Sequence, residues 1–286
     1  MVETGQSIRS VPYVSPADAP YGIEVMSFAD LRAAGPRSLR AAPQRPQFHV
    51  LAVLTAGIGH HTVDFRTCAL RPHSAVWIRP GVVHRWDGVE TLEGMLVLFR
   101  PDFLPPGGRA GAAAAPFGPI TWEIGENARA RTDLAARHLH IEYGARTAED
   151  PAVRVELLRH LLQALILRIL PAETPAVSES GEIFARLRAL VETHFAAHRE
   201  VAWYAGELGY APRTLSRATH AATGRTAKQF IDDRVILEAK RLLAHADLPA
   251  SSIARRLGFE DTNFTKFFRR HTASTPGRFR TTARGE

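Results

Sequence analysis

A repeated pattern near the C-terminus constrains the fold of this chain more than any other feature. Residues 201–280 begin with VAWYAGELGYAPRTLSRATHAATG and end with SSIARRLGFEDTNFTKFFRRHTASTPGRFR. Each piece predicts a short helix, a Leu-Gly stop and a second helix rich in Arg, Lys, Ser and Thr, and the stretch KQFIDDRVILEAKRLLAHADLP predicts one unbroken helix between them. A helix, a tight turn with glycine and a second helix form a helix-turn-helix. Two of them, about 50 residues apart, predict an all-α DNA reader.

The positive charge of the chain is concentrated on the same region. Residues 183–286 carry 18 Lys and Arg against 10 Asp and Glu, a balance of +8, whereas residues 1–182 carry 18 against 19, a balance of −1. A basic surface on a helix-turn-helix region is the charge distribution of a module that binds phosphate. The alternative is a generically basic protein with solvated arginines, which the helical pattern disfavours.

Composition argues against several other classes of protein. Cys68 is the single cysteine, so neither a disulfide framework nor a thiolate metal site is expected. The first residues, MVETGQSIRSVPYV, lack the apolar stretch of a secretory signal. No run approaches the roughly 18 apolar residues that a membrane span needs. We therefore expect a cytoplasmic protein with no membrane contact.

The remaining sequence predicts an α+β chain with several segments. Residues 1–20 hold three prolines and predict an irregular arm. Within 21–120, the runs FHVLAVLTAG, HHTVDF, AVWIRP and GMLVLF predict the short strands of a small antiparallel sandwich or barrel. Residues 121–170 predict two helices. The Pro-, Ser- and Glu-rich residues 171–182 predict a linker to the helix-turn-helix domain, 183–286.

The second of the two helices before the linker carries a broad apolar surface. It is expected to begin at Pro151, with Asp150 as its N-cap. Its apolar side chains recur at helical spacing and cover more of the helix than one contact needs. We expect this helix to mediate a homodimer through Leu158, Leu161, Leu162, Leu165 and Ile169. The alternative is that the helix only packs on the barrel.

The second helix of each helix-turn-helix is predicted to contact DNA. In the first, Pro212–Thr223, Leu215 faces inward; in the second, which begins near Asp261 or Thr262, Phe264 does. Arg reads guanine through two donors, Asn pairs with adenine, and Ser and Thr adapt to a base or to phosphate. The predicted DNA contacts are Arg213, Thr214, Ser216, Arg217, Thr262, Asn263, Thr265, Lys266, Arg269 and Arg270. The last two, late in their helix, are expected to meet phosphate.

The sequences LGYAPRTLSRATHAATG, RVILEAKRLLAHADLP and IARRLGF…NFTKFFRRHTASTPGRFR resemble the C-terminal domain of the AraC/XylS family of transcription regulators. The resemblance covers residues 185–284. It implies seven helices, with two readers joined by a long helix over 226–246. The readers would enter adjacent major-groove segments on one face of double-stranded DNA. The resemblance therefore implies a sequence-specific transcription regulator, with RNA polymerase as a further candidate partner.

Two departures from the family pattern concern the second reader. GFEDTNF has one residue fewer between Gly258 and Phe264 than the family usually has, and Ala273 stands where a glycine is frequent. A missing turn residue would rotate or retract the start of the second reader. We therefore expect the first reader to carry base recognition and the second to hold more of the DNA backbone.

The stretch IRPGVVHRW, 78–86, with its preceding strands, resembles the cupin-like barrel that many members of this family carry. Metal-binding cupins need two His and a carboxylate from one strand pair and a later His. His84 suits the later position. His60 and His61, however, are adjacent and point to opposite faces of a strand, and no Glu follows at a useful spacing. No catalytic, metal or cofactor site is therefore expected.

The family resemblance implies instead that the barrel senses a small organic effector. The expected pocket is formed by His49, Trp77, Arg79, His84 and Trp86, through stacking and a few hydrogen bonds. In one alternative the tryptophans are core residues and the barrel only dimerises or contacts RNA polymerase. In another, of a different class, the chain is a metal-dependent barrel enzyme fused to a nucleic-acid-binding domain.

Overall fold

The computed structural model of the chain describes residues 9–17, 19–34, 42–105, 107–114, 119–145, 150–170 and 179–284. Its contacts divide the chain into an N-terminal unit that ends at residue 174 and a C-terminal unit that begins at residue 175. Most of the predicted linker, 171–178, lies outside the described residues. The last four linker residues, 179–182, are helical, so the linker prediction extends too far.

Ten strands are described in the N-terminal unit. They are β1 (Arg9–Val11), β2 (Ile23–Ser27), β3 (Gln44–Pro46), β4 (His49–Ala56), β5 (Gly59–Val63), β6 (Arg66–Leu70), β7 (Ser74–Ile78), β8 (His84–Asp87), β9 (Glu93–Phe99) and β10 (Thr121–Glu123). Among the described residues they form a first sheet in the order β1-β3-β8-β5-β6 and a second in the order β10-β7-β4-β9-β2.

Two of these strands lie outside the predicted barrel, 21–120. β1 belongs to the predicted irregular arm and pairs in parallel with β3, and β10 pairs with β7 beyond the predicted boundary. The arm prediction was thus wrong for Arg9–Val11. A three-residue strand has too little side-chain pattern to be recognised in sequence, and the partner's unpaired backbone groups decide its conformation.

Strand alternation gives the second sheet two buried faces. Val50 and Leu54 of β4 pack with side chains of the first sheet in the core between the two sheets, which we call the barrel interior. Leu51 and Val53, the alternate residues, pack in a separate core against helices. Because successive side chains on a strand point to opposite faces, neighbouring residues of β4 join different cores, and every second residue joins the same core.

Four α-helices are described in the N-terminal unit; the first adds Phe28 to the barrel interior, and the other three pack in the outer core. They are α1 (Phe28–Ala33), α2 (Gly108–Ala114), α3 (Glu126–Gly144) and α4 (Pro151–Ile169). Asp150 caps α4 as predicted, because its carboxylate accepts a hydrogen bond from the Ala152 N–H at 2.8 Å. Helices α3 and α4 share the outer core with Trp77 and Trp122 of the sheet.

The described part of the C-terminal unit has the seven helices that the resemblance implies. They are α5 (Glu179–His194), α6 (Val201–Leu208), α7 (Pro212–Thr223), α8 (Ala227–His245), α9 (Ala250–Arg256), α10 (Asp261–Thr272) and α11 (Pro276–Arg284). One core joins α5, α6, α7 and the first half of α8. A second core joins the second half of α8 to α9 and α10. The long helix ends at His245, earlier than the unbroken pattern predicts.

Candidate nucleic-acid interface and barrel interior

The first predicted reader, α7, has one inward and one outward side. Leu215, Ala218 and Thr219 are buried against α5, α6 and α8. Arg213 and Arg217 are exposed. Thr214 and Ser216 between them are half-buried. Pro212 begins the helix, where its missing N–H needs no partner, and Gly224 ends it with a φ of 69°. The helix therefore presents two arginines beside two hydroxyls.

The second reader, α10, is held by aromatic side chains. Phe264 and Phe268 are buried, with ring centroids 5.9 Å apart. The six side chains predicted to contact DNA from this helix are all exposed: Thr262, Asn263, Thr265, Lys266, Arg269 and Arg270. The two apolar anchors, four residues apart, fix which side of the helix faces away from the core.

The two helix-turn-helix structures repeat at a constant interval of 49 residues. Gly209 and Gly258 end the first helices with φ of 71° and 70°, and each second helix begins three residues later, at Pro212 and Asp261. The hydrogen bonds repeat as well. The Tyr210 N–H donates to the Ala205 carbonyl and the Phe259 N–H to the Ala254 carbonyl, both at 2.9 Å. The same register pairs Arg213 with Thr262, Thr214 with Asn263, Ser216 with Thr265 and Arg217 with Lys266.

The second reader is therefore not displaced relative to the first, so the expectation of a shifted start is wrong when the two turns of this chain are compared. The stretch GFEDTNF, although shorter than the family usually has, matches the length of the first turn, GYAPRTL. Phe264 is buried at the position of Leu215, so α10 starts neither late nor rotated relative to α7. A short loop changes helix register only if the anchoring apolar residue fails to reach the core, and here it does reach it.

Ala273 carries the second departure from the family pattern. It ends α10 with a φ of 55°, in the left-handed region, at the repeat position of Gly224. A side chain in this conformation brings Cβ close to the following carbonyl oxygen, whereas glycine has no such contact. The structure thus retains the αL helix end at Ala273.

The outward cations of both readers are available for phosphate or bases. Within the described residues, none of Arg213, Arg217, Lys266, Arg269 and Arg270 forms an ion pair with a carboxylate. By contrast, the arginines of α8, Arg234 and Arg241, are buried and paired with Glu238. Unpaired exposed cations along two helices are the arrangement that releases counterions from a phosphate backbone.

The five residues predicted for one effector pocket lie in two different cores. His49, Trp77 and Arg79 are on the outer face of the second sheet, towards the helices. Trp86 and His84 are on the interior face of the first sheet. The prediction of a single pocket was therefore wrong, since the parity of each residue on its strand separates the two groups.

The outer group has structural contacts of its own. The Trp77 Nε1–H donates to His49 Nδ1 at 3.2 Å. Arg79 donates to the carbonyl oxygens of Pro119 and Ala113, both at 2.8 Å, and its guanidinium lies 5.1 Å from the Trp77 ring. These contacts tie the segments around α2 and β10 to the sheet, so the three residues stabilise the fold.

The interior group includes a histidine that sequence reasoning discounted. His61 on β5 and His84 on β8 share an N–H···N hydrogen bond of 2.9 Å between Nε2 and Nδ1. The His61 ring stacks on Trp86 at 4.1 Å with an interplanar angle of 1°, and Phe28 meets the Trp86 ring edge-on. His61 Nδ1 is buried and has no hydrogen-bond partner among the residues that the structure describes. Because His60 and His61 are adjacent on a strand, they cannot both serve one metal site. The same alternation in fact directs His61 inward and His60 outward.

Burial keeps these histidines neutral near pH 7. Desolvation lowers the pKa of His84 to about 4, and desolvation together with the nearby Arg79 charge lowers the pKa of His49 to about 3. Burial, with a smaller effect of His84, lowers the pKa of His61 well below its ordinary value. Neutral imidazoles offer one donor and one acceptor each, so the interior presents directional polar atoms among aromatic rings.

The helix surface predicted for dimerisation is largely used inside the N-terminal unit. Leu158, Leu162, Leu165 and Ile169 are buried in the outer core, and Leu161 packs partly against it. The four buried side chains lie inside the N-terminal unit, so their assignment to a dimer interface was wrong, whereas the assignment of the half-buried Leu161 stays a prediction. A different line of side chains, apolar except for His160, lies on the outer side of α4. It consists of Val153, Leu157, His160, Ala164 and Leu167, spaced alternately four and three residues apart, and we call it the outer seam.

Among the described residues, no group of three or more His, Cys, Asp and Glu side chains is arranged to hold a metal ion. In the same residues, no helix combines the length and the apolar character needed to cross a membrane.

Comparison with known proteins gave similarities along both units. Residues 30–192 match the family model of the AraC-like ligand binding domain, and residues 204–282 match that of a helix-turn-helix domain. The HTH-type transcriptional activator RhaS of Klebsiella pneumoniae is 26% identical over 277 residues, which cover 88% of this chain and 95% of the relative. RhaR of Klebsiella pneumoniae subsp. pneumoniae is 23% identical over 244 residues, with coverage of 83% and 86%. A solved structure of ToxT from Vibrio cholerae is 10% identical, covers 91% of this chain and 98% of its own, and has a TM-score of 0.41, too low to carry an argument.

Proposed function

The chain belongs to the AraC family of transcription regulators, and we propose that it binds operator DNA as a homodimer under the control of a small effector in its barrel. The paired readers are the observation that carries the DNA part of this proposal. The two helices have the same register, and each presents four outward side chains at matching positions. Within the described residues, the cations among these side chains form no ion pair with a carboxylate. The relatives RhaS and RhaR are transcriptional activators. By this similarity we propose that the chain activates transcription, with RNA polymerase as a partner, and that it acts in the cytoplasm.

Base recognition is proposed for both readers, with different chemistry. Arg217 can meet guanine O6 and N7 with two donors, and Asn263 can pair with adenine. Arg269 and Arg270, whose repeat partners in the first reader are His220 and Ala221, add charge that the first reader lacks. The second reader therefore contributes more of the salt-dependent phosphate affinity, because it carries three outward cations against two on the first reader.

The DNA part is tested by selecting the full chain against a random double-stranded DNA pool and sequencing the retained molecules. A protein with two readers on one DNA face should enrich two sequence blocks separated by about 10 base pairs, one helical turn. A single block would assign binding to one reader. Retention without any enriched block would reduce the chain to a non-specific DNA binder.

The effector site is proposed in the barrel interior around His61, His84 and Trp86. The argument is that His61 Nδ1 is a buried polar atom without a partner, next to an aromatic ring and a second neutral imidazole. An unsatisfied buried donor or acceptor costs about 1–3 kcal/mol, and a ligand hydroxyl or carbonyl would remove that cost. A small organic molecule with at least one such group fits this chemistry.

A thermal-shift screen of small polar organic compounds on the full chain tests this site. Hits at the interior should lose their stabilisation in His61→Gln and keep it in His60→Gln, which changes the exposed neighbour on the same strand. Hits that bind both variants equally would place the ligand elsewhere.

The homodimer is proposed through the outer seam of α4. Val153 and Leu167, at its ends, are large apolar side chains that are 56% and 48% exposed, and Leu157 and Ala164 continue the apolar line between them. Alternating steps of four and three residues are the spacing with which two helices pack side by side. A two-fold axis across α4 would use the same seam on both copies.

The rival hypothesis is a metal-dependent barrel enzyme fused to a nucleic-acid-binding domain. The two hypotheses differ in metal content. Element analysis of the purified full chain should give substoichiometric iron, manganese and zinc for an organic-effector regulator. One equivalent of any of these metals, retained after dialysis, would favour the enzyme.

A further inference from the structure

A segment that precedes the first helix-turn-helix in sequence contacts the second one in space. We call residues 192–199, the end of α5 and the turn that follows it, the bridging segment. Its Glu192 accepts hydrogen bonds from Arg234 Nη2 at 2.7 Å and from Arg234 Nε at 2.8 Å, which holds it to α8. Phe195 packs against both cores of the C-terminal unit. The bridging segment thus touches both helix-turn-helix structures.

The closest contact is at the turn of the second helix-turn-helix. A methyl group added at Gly258 would overlap the carbonyl oxygen of Ala196, and Gly258 also has a φ of 70°. Its repeat partner Gly209 has almost the same φ, 71°, but nothing lies within 4 Å of an added methyl group there. The two turns therefore have the same backbone conformation. They differ in packing, because the bridging segment lies directly against the second turn.

Two cation–aromatic contacts support the same junction. The Arg199 guanidinium lies 3.7 Å from the centroid of the Phe259 ring, the residue after Gly258. The Arg234 guanidinium, held by Glu192, lies 3.9 Å from the centroid of Phe195. Arg234 is buried, and its pairing with Glu192 and Glu238 outweighs the opposing effect of burial, so that the pKa of the guanidinium is raised. A buried, doubly paired arginine resists displacement because breaking one pair leaves an uncompensated charge.

These contacts give the two readers a second mechanical connection besides α8. One helix alone fixes the distance between the cores at its two ends but resists bending and twisting only weakly, because helices curve at small cost. The bridging segment spans from the first core to the turn before α10 and closes a loop with α8. A closed loop of packed elements fixes both the distance and the angle between two bodies.

We propose that the bridging segment sets the base-pair spacing that the two readers accept, with Ala196, Arg199 and Gly258 as its positioning residues. This rests on the proposed function, since it needs both readers on DNA. One base pair more between the two blocks moves the second block along the DNA and around its axis. Two readers held at a fixed distance and angle cannot follow both changes, whereas two readers that move relative to each other can.

The experiment measures a spacing penalty in full-length protein. The penalty is the ratio of Kd on selected DNA with one base pair inserted between its two blocks to Kd on the selected DNA itself. Wild type is expected to show a penalty of about tenfold or more, the cost of losing one or two good base contacts. Arg199→Ala and Gly258→Ala are expected to lower it to about threefold or less. Gly209→Ala, with the same backbone strain and free space around it, should keep the wild-type penalty.

The outcomes separate the inference from the function on which it rests. If wild type enriches no sequence, the proposed DNA function fails. If wild type enriches two blocks and Arg199→Ala retains the full penalty, the spacing role fails while the function stands. Circular dichroism of Arg199→Ala confirms that this variant is folded. Arg199→Ala decides the matter even if Gly258→Ala does not fold. A lowered penalty in Gly209→Ala would assign the effect to turn strain and also overturn the proposal.

Discussion

Gly224 and Ala273 end the two recognition helices at the same repeat position, and they differ by one methyl group. Both are left-handed, with φ of 69° and 55°. Only glycine adopts this conformation without contact between Cβ and the backbone, so the second helix end carries strain that the first does not.

Ala273→Gly should therefore stabilise the C-terminal unit by about 1 kcal/mol, and Gly224→Ala should destabilise it by a similar amount. Urea unfolding of the two variants, followed by far-ultraviolet circular dichroism, measures both changes. The opposite signs are the critical result. If both substitutions destabilise, a constraint other than the backbone angle governs these helix ends.

Arg217 and Lys266 occupy one repeat position in the two readers and differ in their donors. Arginine can hold guanine with two parallel hydrogen bonds, whereas lysine acts as a point charge. Arg217→Ala should cost about 1–3 kcal/mol in binding and relax base preference at one position.

The matched variant Arg217→Lys keeps the charge and removes the two-donor geometry. Base preference should fall as far as in Arg217→Ala, while the salt dependence of binding stays close to wild type. Competition binding on the selected site and on its three base variants at that position measures this. An equal loss on all four bases would make Arg217 a phosphate contact.

At the scale of elements, α4 shows how one helix divides its apolar residues between two surfaces. Leu158, Leu162 and Leu165 fill the outer core of the N-terminal unit. Val153 and Leu167 lie on the outer seam and remain exposed. The sequence indicated a helix apolar on more than one side, but it did not reveal which side faces the sheet.

Leu167→Glu is expected to dissociate the proposed homodimer, because two buried carboxylates at the seam would be desolvated without a partner. Sedimentation velocity of the full chain measures the change in mass. Leu134→Glu, on α3, replaces a leucine that is 68% exposed and lies outside the seam, and it should leave the dimer intact. Dissociation by Leu134→Glu and not by Leu167→Glu would transfer the interface to α3.

The turn between α9 and α10, unlike the faces of α4, could be placed from the sequence alone. Comparison with the family pattern predicted a displaced second reader, yet α10 has the same register as α7. A comparison within the chain would have detected this, because Gly209 and Leu215 are separated by the same number of residues as Gly258 and Phe264. The internal repeat was the better guide because Leu215 and Phe264 each anchor their helix in a core that includes part of α8.

At the scale of the whole molecule, the two units should respond differently to acid. The pKa values of His49 and His84 in the folded N-terminal unit, about 3 and about 4, lie below the ordinary value of 6.5. The unfolded chain therefore takes up protons first as the pH falls. The stability of the unit is complete above pH 6.5 and declines from there down to the folded pKa values.

At pH 5 the loss should be about 2 kcal/mol for each of these two histidines, relative to pH 7.5. Urea unfolding followed by tryptophan fluorescence reports on the N-terminal unit, which holds Trp77, Trp86 and Trp122 of the 4 tryptophans. His49→Gln should remove its own contribution of about 2 kcal/mol from this loss, whereas His84 and His61, whose pKa burial also lowers, keep theirs. His60→Gln, at an exposed site, should leave the pH dependence unchanged. A pH dependence that His49→Gln does not alter would exclude His49 as a cause.

By itself the sequence determined the features that depend on local chemistry. The apolar spacing, the glycine stops and Pro212 as a first helical residue predicted the helices of the C-terminal unit and the outward side chains of both readers, and Asp150 as an N-cap predicted the start of α4 in the N-terminal unit. These are decided within a turn or two of helix, so the chain carries them in its order of residues. The excess of positive charge on 183–286 likewise needed only counting.

Only the tertiary structure decided which surfaces meet. It separated His49 and Trp77 from His84 and Trp86, brought His61 beside Trp86, and turned the apolar stripe of α4 inward. It also placed Ala196 against Gly258, 62 residues later in the chain. Such contacts depend on how strands pair and helices pack across long sequence separations, and no local pattern encodes the position of a distant partner.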